Sequence, residues 1–156
     1  MRREAGLAAP AAPAPAPPAL PGAGVEWIVE AFGADPARLR DPEALAALVA
    51  DVVAALALTP VGDARWHRFP RPGGVTGLVL LAESHLAVHT FPEHGSLCLN
   101  LFCCAPRPAW DWAGGLRRHV GAAEVRVRRV ARRYAADAVT TGRGDEGRMH
   151  GRMKAG

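Results

Sequence analysis

The chain has 156 residues, 49% apolar and 22% charged, with a formal net charge of +4. That is one domain's worth of chain with enough apolar content to bury a core, and it holds no apolar run long enough to span a bilayer. The basic excess raises nucleic acid as a partner. However, Arg126, Arg128, Arg129, Arg132 and Arg133 form one run and Arg143, Arg148, Arg152 and Lys154 another, without interleaved aromatics or helix-turn-helix or zinc-finger spacing, so a solvated strand face and a loose tail are expected instead.

Residues 1–23 carry recurrent proline, which breaks the continuous apolar helix a signal peptide requires. They read as a disordered Pro/Ala arm. Residues 25–32 are rich in apolar and aromatic side chains and read as a strand. Asp41-Pro42-Glu43 is a helix start, with an N-cap, a proline at N1 and an acid in the first turn. Leu45, Leu48, Val49, Val52, Val53 and Leu56 then recur at helical spacing, predicting an amphipathic helix over 42–57. Strands are expected at 64–69, 75–82, 85–91 and 97–104, with Pro70, Pro72, Gly73 and Gly74 making a turn. Trp112, Leu116 and Val120 predict a short helix within 109–120, weakened by Gly114-Gly115. Val125 and Val127 alternate with arginines in a half-buried last strand, and 137–156 reads as a disordered tail. Consecutive strands with short turns pair antiparallel. The expected fold is therefore α+β, a two-layer sandwich over 24–136 with an antiparallel sheet and helices on one face.

Chemistry concentrates in 83–104, ESHLAVHTFPEHGSLCLNLFCC. One reading is a metal site of His85, His89, His94 and the cysteines, but no CxxC pair or helical HxxxH is present. Another is a serine or cysteine nucleophile with a histidine base, but there is no GxSxG elbow. The three cysteines, Cys98, Cys103 and Cys104, are an odd, clustered set. They argue against a disulfide framework and for a reducing cytoplasm. Cys98 and Cys103 read as small apolar packers, His85 as a strand-face residue, and Trp110 and Trp112 as packing or interface residues.

The stretch GVTGLVLLAESHLAVHTFPEHG, followed by Asn100-Leu101-Phe102-Cys103-Cys104, resembles the core signature of the small bacterial and archaeal S-adenosylmethionine decarboxylases. That signature runs GV(S/T)G, an apolar strand, E-S-H, I/V-H-T, an aromatic, P-E and G, then D/N-hydrophobic-F and x-C. The likeness extends over 24–131. It implies a carboxy-lyase made as a proenzyme, cleaving itself between Glu83 and Ser84 into a small chain 1–83 and a large chain 84–156. Its cofactor is a pyruvoyl group derived from Ser84, which serves as the electron sink once joined to the substrate amine. By the same likeness His89 is the processing acid/base, and Thr76 stands where serine is usual and supports the processing intermediate. Cys104 is the proton donor to the product, Phe69 and Phe91 stack on adenine, and Glu93 binds the ribose hydroxyls. The resemblance further implies a homodimer, a small-molecule substrate (S-adenosylmethionine) and a place in spermidine synthesis, with no metal, membrane or nucleic acid involved.

The sequence departs from that pattern in places. Gly24-Val25-Glu26-Trp27 replaces G-x-H-L, which puts the large Trp27 close to the expected substrate pocket. Phe91 stands where tryptophan is common, the turn after Phe69 is one residue longer, and Asn100 replaces a common aspartate. A shifted substrate such as ornithine or arginine is therefore an alternative, as is a non-catalytic regulatory partner of a decarboxylase. In a regular strand Ser84 and His89, five positions apart, face opposite ways, so a bend or bulge is expected between them if His89 serves Ser84.

Overall fold

The computed structural model describes residues 22–134. The expected tail at 137–156, and all but the last two residues of the expected Pro/Ala arm, lie outside the described residues. In chain order the elements are β1 (Ala23–Phe32), α1 (Pro36–Leu39), α2 (Pro42–Ala55), β2 (Arg65–Arg68), β3 (Val75–Leu81), β4 (Ser84–Phe91), a 3-10 turn (Pro92–His94), β5 (Ser96–Cys103), α3 (Trp112–Val120) and β6 (Glu124–Arg133). The strands form one six-stranded antiparallel sheet in the order β2-β3-β4-β5-β1-β6.

Strand alternation gives the sheet a buried face and an open one. Trp27 and Val29 of β1, Val79 and Leu81 of β3, Leu86 and Val88 of β4, and Leu99 and Leu101 of β5 are buried. Leu45, Leu48, Val49 and Val52 of α2 and Leu116 and Val120 of α3 join them in one core. The two-layer sandwich expected from the sequence is the architecture found. On the opposite face lie Thr76, Leu78, Leu80, His85, His89, Asn100 and Phe102. Two of these, Leu78 and Leu80, are 48% and 58% exposed.

Local signals account for the helix ends. Asp41 accepts the N–H of Glu43 at 2.9 Å and Pro42 opens α2. Asp35 and Pro36 repeat that arrangement in α1, with the Ala37 N–H at 2.8 Å. This helix was not expected, because four residues are too few to show a helical period. Gly115, read as a weakness of α3, has a packing reason: a Cβ there would lie 2.0 Å from the ring of Trp110. Thr90 is the one polar residue buried among the described residues. Its hydroxyl donates to the Leu39 carbonyl and accepts from the Val75 N–H, each at 2.8 Å, pinning α1 to the sheet.

Candidate active site

The β3–β4 hairpin turns through Ala82 and Glu83, and Leu81 pairs with Ser84. Ser84 has φ 149°, a conformation that costs a residue with a side chain about 1–3 kcal/mol. Its Oγ lies 3.0 Å from Nδ1 of His85. The preceding carbonyl, that of Glu83, accepts the N–H of Cys104 at 2.9 Å. The Glu83 side chain is held as well. Its carboxylate accepts the Thr59 N–H and the Thr59 hydroxyl, each at 3.1 Å, and an Arg107 guanidinium N–H at 2.9 Å. The Thr59 backbone N–H is the chief cause holding the Glu83 carboxyl below its ordinary 4.5, with the Thr59 hydroxyl and Arg107 acting in the same direction. The Ala82 N–H donates to the Thr59 carbonyl at 2.8 Å, so the 59–60 loop grips both residues of the turn.

The two cysteines closing β5 differ in kind. Cys103 points into the core and burial pushes its thiol up to about 11. Cys104, one residue on, is exposed and adjoins the Glu83–Ser84 bond through its own N–H. Of the pair, Cys104 is the thiol a solvent-borne molecule can reach.

A second cluster sits at the other end of the same hairpin. Thr76 of β3 and His89 of β4 are cross-strand partners, and the Thr76 hydroxyl is hydrogen-bonded to His89 Nδ1. The His89 ring lies between two aromatics, 5.5 Å from Phe69 and 4.6 Å from Phe91. A cavity of about 400 Å³ is lined by Phe69, Arg71, Pro72, His89, Phe91 and Glu93, with Glu93 exposed on the 3-10 turn. Phe69 is 42% exposed, a ring face available for stacking rather than a core residue.

The structure thus divides the expected residues into two groups. Glu83, Ser84 and Cys104 stand together, and Thr76, His89, Phe69, Phe91 and Glu93 stand together. Along β4 the groups are about 17 Å apart at ~3.4 Å per residue. The expected bulge is absent: the register runs unbroken from Thr76↔His89 to Leu81↔Ser84 and from Ser84↔Cys103 to Phe91↔Ser96. The distortion falls instead on the φ of Ser84, and it leaves His89 remote from the serine within one chain. The histidine beside the serine is His85, which the sequence reading took for a strand-face residue.

Other expectations change too. Trp27 is 2% exposed and belongs to the core under the helices, not to a pocket. Glu26 and Asn100, two of the departures from the resembling pattern, touch each other: Asn100 Nδ2 donates to the Glu26 carboxylate, which Arg132 also engages. Thr59 and Arg107 were missed altogether. Each lies 24 positions from Glu83, and no short spacing announces such a contact.

A family model described as S-adenosylmethionine decarboxylase matches residues 25–133. The S-adenosylmethionine decarboxylase proenzyme of Thermoplasma volcanium is 33% identical over 112 residues, covering 71% of this chain and 85% of that protein. The proenzyme of Prochlorococcus marinus is 39% identical over 100 residues, covering 64% and 78%. The crystal structure of the adenosylmethionine decarboxylase from Aquifex aeolicus superposes with a TM-score of 0.60 over 74% of this chain and 94% of that one. At 23% identity that last likeness speaks to the fold. With the family model matched along both ends of the hairpin and nearly the whole sheet, the chain belongs to the S-adenosylmethionine decarboxylase family.

Proposed function

We propose that the chain cleaves itself between Glu83 and Ser84, carries a pyruvoyl group made from Ser84, and decarboxylates S-adenosylmethionine, so supplying the aminopropyl donor for spermidine synthesis. The observation that carries this reading is the condition of the Glu83–Ser84 bond. Its carbonyl receives the Cys104 N–H at 2.9 Å, which favours charge developing on that oxygen. The next residue is held at φ 149°, strain that is relieved when the peptide bond opens. The hydroxyl is oriented by His85.

In the processing reaction Ser84 Oγ adds to the Glu83 carbonyl carbon, the C–N bond opens and an ester forms. Loss of the Ser84 α-proton then expels Glu83 as a carboxylate, and the dehydroalanine takes up water and releases ammonia. The pyruvoyl group so formed supplies the electron sink that amino-acid decarboxylation needs. Cys104 holds the proton for the substrate carbon that loses carbon dioxide, a task for which an accessible thiol suits. Phe69 and Phe91 offer ring faces to adenine, and the Glu93 carboxylate offers two acceptor oxygens to the ribose hydroxyls.

The working form is a homodimer. Ser84 and Cys104 lie at one end of the hairpin and Thr76 and His89 at the other, so a two-fold pairing of open sheet faces puts the processing histidine of one protomer against the serine of its mate. The exposed Leu78, Leu80 and Val130 on that face support such a pairing. Three free cysteines, one of them used as a thiol, fit a reducing cytoplasm.

The test is the intact mass of the purified protein beside Ser84→Ala. Two fragments meeting at Glu83 and Ser84, the second with a blocked pyruvoyl end, are expected of the wild type alone. Carbon dioxide release from S-adenosylmethionine, ornithine and arginine then fixes the substrate. A wild-type chain that stays whole sinks the reading.

A further inference from the structure

We propose that Arg107 is the counter-charge for the carboxylate that self-cleavage creates at Glu83, and that it promotes the elimination half of processing; this rests on the function proposed above. Arg107 lies just past β5 between Pro106 and Pro108, two residues that restrict the backbone carrying it. Its side chain is 24% exposed, and one terminal N–H is given to Glu83 Oε1 at 2.9 Å. Its Nε is buried with no hydrogen-bond partner among the described residues. A buried guanidinium N–H without an acceptor is unusual, and here it sits on an arginine that grips Glu83, the residue before the proposed cleavage. The Glu83 side chain does not need it, since Thr59 donates to both of its oxygens and Arg107 already donates once.

The chemistry supplies the missing acceptor. Before cleavage Glu83 carries one negative charge, on its side chain. In the acyl shift Ser84 Oγ bonds to the Glu83 carbonyl carbon, the C–N bond breaks and the proton passes from oxygen to nitrogen, so the ester is neutral at that carbon. In the elimination the Ser84 α-proton is removed, Cα and Cβ become doubly bonded, and the Cβ–Oγ electron pair leaves with the Glu83 carboxylate. Only this second step leaves a permanent new anion, and it leaves it beside a side-chain carboxylate on the same residue. Two like charges so close in a partly buried turn call for a cation with donors to spare, and the planar fork of arginine offers them in fixed geometry. The Cys104 N–H, already on the Glu83 carbonyl oxygen, serves the same group.

The experiment uses full-length chain made by cell-free synthesis, so that uncut protein is present at time zero. Wild type, Arg107→Met and Arg107→Lys are followed by intact mass, with and without hydroxylamine. Hydroxylamine opens the ester to give a Glu83 hydroxamate and an unmodified Ser84 amino terminus. Arg107→Met is expected to form the ester at close to the wild-type rate and to accumulate it. Its pyruvoyl-ended large chain should appear about 100- to 1,000-fold more slowly, the scale on which one charge-stabilising donor acts. Arg107→Lys should recover much of the loss. The inference is overturned if Arg107→Met releases the pyruvoyl-ended chain at the wild-type rate. It is equally overturned if Arg107→Met and Arg107→Lys both fail to form the ester, because the residue would then only brace the turn. A wild-type chain that never cleaves overturns both this inference and the function on which it rests.

Discussion

Ser84 and His89 share β4 but not a site: the ladder between them is regular, and His89 spends its Nδ1 on Thr76 at the far end of the hairpin. If the two meet only across a dimer, defects in them complement. Ser84→Ala and His89→Ala should each remain uncut when expressed alone. Co-expressed with distinguishable tags, the His89→Ala chain should be cleaved, because its intact serine faces the intact histidine of a Ser84→Ala chain, while the Ser84→Ala chain stays whole. Intact mass of the mixed preparation decides it, and no cleavage of either chain would show that processing is completed within one protomer.

Cys104 has two separable parts. Its N–H donates to the Glu83 carbonyl, whereas in the proposed function its thiol is reserved for turnover. Cys104→Ala keeps the N–H and should therefore process itself within about threefold of the wild-type rate, while carbon dioxide release falls at least ~100-fold, the lower end for losing a general acid. Equal loss of both activities would refute the separation. Iodoacetamide at pH 8 should modify Cys104 and spare Cys103, whose thiol burial holds at about 11.

Thr90 is a test of the fold alone. Thr90→Val keeps the shape but strips partners from the Val75 N–H and the Leu39 carbonyl. Two buried groups left unsatisfied cost about 2–4 kcal/mol, to be read as a lowered urea midpoint with unchanged slope. The same midpoint for variant and parent would mean that water reaches this spot.

Glu83 links the turn to pH. Its carboxyl is held below 4.5 in the folded chain, so its contribution to stability is fully present above that value and disappears as pH falls through the lower folded value. Measured on the uncleavable Ser84→Ala protein, the urea midpoint should drop on acidification below about 4.5. Adding Glu83→Gln should flatten that part of the curve. Parallel curves for the two proteins would place the acid sensitivity elsewhere.

Much of the fold was legible because it is written in short periods. The apolar runs in 75–82 and 97–104 between turn residues, the Asp41-Pro42 start and the Leu45–Leu48–Val52 stripe each describe an element by itself, and these elements are found. What escaped was of two kinds. The helix α1 is too short for any period, although Asp35-Pro36 carries the same N-terminal signal as Asp41-Pro42. The Glu83–Ser84 turn depends on contacts distant in sequence: Thr59 and Arg107 reach Glu83 across 24 residues each. Nothing local distinguishes Arg107 from the many arginines of this chain. His85 stands on the open strand face, as expected, and its contact with the Ser84 hydroxyl follows from the φ of Ser84, which no local pattern announces.

The order β2-β3-β4-β5-β1-β6 has a last consequence. A cut after Glu83 assigns β1, β2 and β3 to one fragment and β4, β5 and β6 to the other, yet β1 is threaded between β5 and β6. The fragments are woven together and cannot drift apart without tearing three ladders, β3–β4, β1–β5 and β1–β6. Under the proposed function folding precedes the cut, so the weave is made while the chain is still continuous, and it is made once. After thermal or chemical melting the pieces would have to find each other as separate molecules and rethread. Each chain so cleaved would be a single-use assembly, whose working life ends at its first complete unfolding.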